Sequence, residues 1–86
     1  DYSNTSTASS GGRYLVIAGT YRQRVNADNM VTRLKRMGYN DAEVELFDHG
    51  TYAVVIVNRY SSLSRADQLS TELKNKGVEA FVKDNG

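Results

Sequence analysis

The sequence contains no cysteine, no tryptophan, one histidine and almost no net charge. Without cysteine, disulfides and thiolate metal sites are excluded within these 86 residues, although the compartment is left open. A formal net charge of +1 lacks the basic excess of a general nucleic-acid-binding domain, so we expect no nucleic-acid partner. No apolar run approaches the ~20 residues that cross a bilayer, and we expect no membrane insertion by this domain.

The motifs of catalysis are also missing. His49 lies in a predicted turn with no nucleophile or second acid/base group to work with, and one imidazole makes a poor metal site. Glu43 and Glu45 share one face of a predicted strand at about 7 Å, but edge protection explains them better than a glycosidase pair does. No glycine-rich phosphate loop is present. We therefore expect no enzyme activity, no cofactor and no metal.

The chain contains an internal repeat with two copies. An apolar strand, Tyr14–Tyr21, ends in Gly-Thr-Tyr, and residues 53–60 repeat its apolar pattern. At the same offset, further positions correspond: Ala27 with Ala66, Asp28 with Asp67, Thr32 with Thr71, Leu34 with Leu73, Lys35 with Lys74, and Gly38 with Gly77. One such unit cannot cover its own apolar face, so the two copies are expected to pack together.

The order of elements follows from hydrophobic periodicity and turn residues. Residues 1–12 carry almost nothing that could be buried, and they predict a flexible linker before a domain over residues 13–84. Apolar residues at helical spacing after Asn26 predict a helix. The predicted elements are strands over 13–21, 43–47, 52–57 and 78–83, a hairpin turn at 48–50, a helix over 27–37 ended by Gly38, and a second helix capped by Ser64 and ended by Gly77.

This order, βαββαβ, predicts an α+β fold of the ferredoxin or RNP-like type. Right-handed crossovers give a four-stranded antiparallel sheet in the order 4-1-3-2, with both helices on one face. The two apolar strands then lie at the centre and the two charged strands at the edges, where charge protects against edge-to-edge pairing. An RNA-recognition module shares the topology, but the third strand lacks its aromatic signature, so RNA binding is not expected.

The face without helices is the candidate functional surface. Strand side chains alternate between faces, and the sequence does not decide which apolar set faces the helices. If the smaller set does, the open face carries Leu15, Ile17, Val54 and Ile56, flanked by Phe47 and Phe81. Exposed apolar surface of this kind marks an interaction site, unless a loop, the N-terminal segment or a second copy of the chain covers it.

The repeated motif resembles the SPOR domain, a peptidoglycan-binding module of bacterial envelope proteins. Its repeats look like Tyr-x-Val-x-x-Gly-(Ser/Thr)-(Phe/Tyr), then Asn/Ala at a helix start, then Leu-x-x-x-Gly. The first repeat carries Tyr14, Val16, Gly19, Thr20, Tyr21, Asn26, Ala27, Leu34 and Gly38, and the second carries Val55, Val57, Tyr60, Ala66, Leu73 and Gly77. The resemblance implies non-catalytic binding of glycan strands stripped of stem peptides, which targets a larger envelope protein to the division site. It also implies a location in the bacterial periplasm or cell envelope.

The resemblance and the open face together give a predicted glycan-binding set. It consists of Leu15, Ile17, Thr20, Arg22, Arg24, Phe47, Val54, Ile56, Asn58, Arg59 and Phe81. Arg22, Arg24 and Arg59 are expected to cluster in loops, where arginine suits the lactyl carboxylates of a stripped strand; equally, they are ordinary solvated loop residues.

Two features depart from the family pattern. Ile17 stands where many members carry a polar residue, often Gln, and Asn58-Arg59 replaces a small turn that contains glycine. Because isoleucine cannot hydrogen-bond a sugar, an alternative function is a protein-interaction or self-association module that uses the apolar face. A small-molecule regulatory domain of the ACT type is a third hypothesis, and the lack of an evident pocket ranks it below the other two.

Overall fold

A computed structural model describes residues 12–85 of the chain. The predicted linker over residues 1–12 therefore lies outside the described residues, apart from Gly12. That glycine lies against the chain near Tyr60, because a Cβ at position 12 would be 2.6 Å from the backbone nitrogen of Tyr60. The boundary between linker and domain stays a prediction.

Six elements follow one another in the predicted order. They are β1 (Tyr14–Tyr21), α1 (Arg24–Arg36), β2 (Glu43–Phe47), β3 (Tyr52–Tyr60), α2 (Leu63–Asn75) and β4 (Phe81–Asp84). The sheet has the strand order β2-β3-β1-β4, and every neighbouring pair is antiparallel. This confirms the predicted fold class and strand order.

Both helices cover the same face of the sheet. The cluster on that face combines Val16 and Ala18 of β1, Val55 and Val57 of β3, and buried side chains from α1 and α2. The helical contributors to this cluster are Ala27, Leu34, Ala66 and Leu73. The smaller apolar set therefore faces the helices, which leaves Leu15, Ile17, Val54 and Ile56 on the other side.

Both helices begin earlier than the sequence predicts. The first starts at Arg24 with Gln23 as its N-cap, and the backbone N–H of Asn26 donates to the Gln23 carbonyl inside the first turn. The second starts at Leu63, because the hydroxyl of Ser62, rather than Ser64, accepts a hydrogen bond from the backbone N–H of Arg65 at 3.4 Å. Ser62 and Ser64 are both suitable N-caps for α2, and Ser62 takes this place, whereas Gln23 makes no side-chain capping bond at the start of α1.

The helices end where the two glycines predict. Gly38 and Gly77 have φ of 102° and 87°, and the residue after each donates its N–H back to the carbonyl of Leu34 or Leu73. This double arrangement is the Schellman motif.

The last strand is shorter at its start than predicted, and it begins at Phe81 rather than at residue 78. The N–H of Val78 is used by the end of α2, where it donates to the Leu73 carbonyl, and the carbonyl of Ala80 accepts from Ser70. Val78 and Ala80 therefore bond to α2, and the sheet pairing begins only at Phe81.

Candidate functional site

The open face of the sheet has a core of its own. Leu15, Ile17, Val54 and Ile56 form a second apolar cluster, with Phe47 packed against it, and no residue of either helix takes part. No helix in residues 12–85 lies over this side, because both contribute their buried residues to the opposite cluster.

The four central side chains are nevertheless buried, which corrects the expectation of a broad exposed apolar face. Their exposed fractions are 0% for Leu15, 3% for Ile17, 7% for Val54 and 1% for Ile56. Two long side chains of the sheet lie on this face. Arg59, which pairs with Leu15, reaches Glu43 and Glu45, and these glutamates pair with Ile56 and Val54. Lys83 starts on β4, and its ammonium lies 5.3 Å from the ring centroid of Phe47 on β2, at the opposite edge. The aliphatic part of a lysine covers apolar surface in this way while its charge stays in water.

Two β-bulges bring polar residues onto the open face. The pairing of β1 with β3 skips Ala18 on one strand and Val57 on the other, and these are equivalent positions in the two repeats. A bulge inserts one extra residue, so the alternation of faces is shifted beyond it. Thr20 therefore pairs with Val54 and joins the open face, and Arg59 pairs with Leu15 and does the same.

One end of the open face forms an aromatic depression of about 240 Å³, called the aromatic end below. Its floor is Ile17 and Val54, and it is completed by Thr20, Phe47, Tyr52, Phe81 and Lys83. Phe47 and Tyr52 are directly opposite each other on β2 and β3, which places their rings side by side. Phe81 is 49% exposed and pairs with Ile17 from the other edge strand. This is the part of the face where apolar and aromatic surface reaches solvent.

Two cations lie over the rings of the aromatic end. The guanidinium carbon of Arg22 is 5.7 Å from the ring centroid of Tyr52, and Lys83 lies over Phe47. Both distances fit cation–π contacts. Within residues 12–85, neither cation forms an ion pair with a carboxylate. The aromatic end therefore carries positive charge that is not neutralised by a neighbouring acid.

The opposite end of the face is closed by a network of charges. The guanidinium of Arg59 donates to the carboxylates of Glu45 at 2.5 Å and Glu43 at 2.9 Å. The hydrogen bond to Glu45 is the largest effect and raises the pKa of Arg59. Desolvation lowers this pKa, and the hydrogen bond to Glu43 raises it further. Two carboxylates surround one cation, so this end of the face presents net negative charge.

The expected cluster of three arginines does not form. Arg22 follows the end of β1 and Arg59 lies near the end of β3, and because these two central strands are antiparallel, their carboxyl ends lie at opposite ends of the sheet along the strand direction. Arg24 is the first residue of α1, where its side chain lies 3.6 Å from Asp28 one turn later. Arg22 and Arg24 are two positions apart in sequence, but Arg22 contacts the sheet and Arg24 lies on α1.

Apart from Arg24, which lies on α1, the structure divides the predicted site residues into three groups. Ile17, Thr20, Arg22, Phe47, Val54 and Phe81 come together at the aromatic end. Leu15 and Ile56 lie beneath the surface of the face, and Arg59 is held by the two glutamates. Asn58 lies at the bulge, where its side-chain oxygen accepts from the backbone N–H of Arg59 at 2.8 Å.

Sequence reasoning missed Tyr52 and Lys83. Tyr52 begins an apolar strand, and the same alternation that places Val54 and Ile56 on the open face also places Tyr52 there. Lys83 lies on a charged edge strand. Its position opposite Leu15 was available from the sheet order, but its reach across two strands was not.

Among residues 12–85, neither helix is long and apolar enough to cross a membrane. In the same range, no three side chains of His, Cys, Asp or Glu are grouped so that they could hold a metal ion.

Comparison with known proteins identifies relatives of this fold. The family model of the SPOR domain matches residues 10–84. Among solved structures, the chain is similar to the solution structure of the peptidoglycan-binding domain of the B. subtilis cell wall lytic enzyme CwlC, with 32% sequence identity and a TM-score of 0.72. The match covers 96% of this chain and 95% of that chain. No curated protein matches.

Proposed function

Since this chain belongs to the SPOR domain family, we propose that it binds peptidoglycan without catalysis, through the aromatic end of its open sheet face. The observation that carries the proposal is the depression formed by Phe47, Tyr52 and Phe81 around an apolar floor. The ring faces of sugars are apolar and their rims are polar, and aromatic side chains combine large apolar area with little conformational freedom to lose. The hydroxyl of Thr20 at the same place can donate to or accept from a sugar hydroxyl.

The ligand we propose in finer detail is a glycan strand stripped of its stem peptides. The depression lies on an open sheet face, and the side chains that line it all belong to the four strands. A strand of sugar rings can lie along such a face, whereas a peptide branching from each second sugar would add bulk where Phe81 and Lys83 rise from β4. Removal of the peptide also exposes a carboxylate, for which Arg22 and Lys83 are suitable partners.

The biological role we propose is targeting. A binding module without a catalytic constellation places the rest of a larger envelope protein on its substrate or at its site of action. From the family resemblance, we expect the module to act at the division site, where stripped strands are expected. The expected location is the bacterial periplasm or cell envelope. Nucleic acid and membrane insertion have no part in this role.

The alternative of a protein-interaction or self-association module depends on a broad exposed apolar face. The four central side chains are at most 7% exposed, so little of that face remains for a protein partner. No observation favours this function over glycan binding.

The proposal is tested by co-sedimentation of the protein with purified peptidoglycan sacculi, intact and after amidase treatment. We expect retention on amidase-treated sacculi and its loss in Phe81→Ala, which removes an exposed ring with little effect on the core. Leu46→Ala is the matched control, because Leu46 is 50% exposed, lies beside Phe47 on β2 and points to the other face. If wild type is not retained, or if Phe81→Ala and Leu46→Ala are retained equally, the proposal is wrong.

A further inference from the structure

We infer that Arg22 and Lys83 make the aromatic end selective for acidic sugars, so that a neutral glycan of the same shape binds more weakly. This inference rests on the proposed function and names the chemical class of ligand that the site prefers. The two rings on which a sugar would stack are each in contact with a cation. Phe47 is covered by the ammonium of Lys83, and Tyr52 by the guanidinium of Arg22.

A sugar ring that stacks on Phe47 or Tyr52 must displace a cation from the ring face. Such a contact contributes about 0.5–1 kcal/mol at an exposed site. A neutral sugar offers the displaced cation nothing except a hydroxyl, so part of the stacking energy is lost. A sugar that bears a carboxylate gives the same cation a charged partner, and a charge-assisted hydrogen bond is about twice as strong as a neutral one.

No carboxylate in the described part of the chain forms an ion pair with these cations. Within residues 12–85, neither Arg22 nor Lys83 takes part in an ion pair, whereas Arg59 at the other end of the face is engaged by Glu43 and Glu45. The face is therefore polarised along the direction of β1 and β3. An anionic sugar is attracted to the aromatic end and repelled from the two glutamates, which also fixes where along the face the carboxylate lies.

In a peptidoglycan strand without stem peptides, the lactyl carboxylate of every second sugar supplies this charge. Amidase-treated sacculi can be compared with the same sacculi after carbodiimide amidation, which turns the carboxylates into neutral amides and leaves the sugar backbone intact. Chitin gives a second neutral glycan with the same linkage. The three ligands differ in charge more than in shape, so they isolate the contribution of the carboxylate.

The variants are Lys83→Gln and Arg22→Gln, which keep much of each side chain and remove its charge. Lys35→Gln and Arg36→Gln on α1 remove the same charges from the helical layer and serve as controls. For a solvent-exposed ion pair worth up to about 1 kcal/mol, we expect each site variant to bind amidase-treated sacculi about fivefold more weakly. The same variants should bind the amidated sacculi and chitin at least as well as wild type does, because these ligands have no carboxylate contact to lose and no longer have to displace a cation from the ring.

Three outcomes are decisive. Weaker binding of wild type to amidated sacculi and chitin, with the loss of that difference in Lys83→Gln and Arg22→Gln, would support the inference. Equal binding of wild type to treated and amidated sacculi would overturn the acidic preference and leave the proposed function standing. Failure of wild type to bind any of the sacculi would overturn the proposed function, and the inference with it.

Discussion

Arg59 distinguishes the sequence-based account of the site from the structural one. The sequence predicts that it binds the ligand, whereas the structure joins its guanidinium to Glu43 and Glu45 and leaves only 23% of its side chain exposed. Replacement by glutamine, Arg59→Gln, should therefore lower the stability of the fold. Binding of glycan by the folded variant at the aromatic end should persist.

The expected loss of stability can be worked from the contacts. Both glutamates are more than a third exposed, so each ion pair is assigned at most about 1 kcal/mol. The repulsion between the two carboxylates, about 7 Å apart on one face of a strand, is present with or without the arginine and adds nothing to the difference. The loss is therefore at most about 2 kcal/mol, or a fall of up to about 16 °C in the melting temperature of a domain of this size.

The assay is thermal unfolding followed by circular dichroism, together with co-sedimentation at a temperature where the variant is folded. Arg36→Gln is the control, because Arg36 is an exposed arginine of α1 without an ion pair in the described chain, and it should change stability by less than about 0.5 kcal/mol. The difference between Arg59→Gln and wild type should shrink in high salt. An unchanged melting temperature combined with lost retention on sacculi would refute this reasoning and would indicate that Arg59 binds the ligand, as the sequence predicts.

Two further predictions concern the backbone of the strands and turns. Gly19→Ala should destabilise the domain by about 1–3 kcal/mol in urea unfolding, because its Cβ would lie 2.8 Å from the ring of Tyr21; an unchanged midpoint would mean that the ring moves aside freely. His49→Gly should stabilise the domain by up to about 1 kcal/mol, because His49 has a φ of 56° in the hairpin turn, and relief of a left-handed L-residue outweighs the added freedom of glycine. A loss of stability in His49→Gly would indicate that the imidazole makes a contact that the turn geometry does not require.

The sequence predicted the architecture because its strongest signals are long and repeated. Helical spacing, the glycines that end each helix and the contrast between apolar and charged strands all indicate one topology, and the structure agrees. Boundaries were less accurate, because Ser62 and Ser64 are both suitable caps and only the backbone decides between them.

The arrangement of the site was harder to predict, and the bulges are the main reason. Strict alternation places Thr20 with Val16 and Ala18 on the helical face, and nothing in the alternation reveals the extra residue that moves it to the open face. The family resemblance, not the periodicity, brought Thr20 and Arg59 into the predicted site.

Two other errors have different causes. The predicted arginine cluster is wrong because two antiparallel central strands have their carboxyl ends at opposite ends of the sheet along the strand direction. The burial of the open face depends on long side chains, among them Arg59 towards the two glutamates and Lys83 towards Phe47, and the direction taken by such a side chain cannot be predicted from the pattern of residues.

The central claim is that ligand binds at the aromatic end of the open sheet face. A titration of the isotope-labelled protein with soluble fragments of stripped glycan strands, followed by amide chemical shifts in NMR, tests it most directly. The account predicts that the largest shift changes occur at Thr20, Tyr52 and Phe81, with little change in α1 and α2. Changes confined to the helices, with the aromatic end unaltered at saturation, would contradict it.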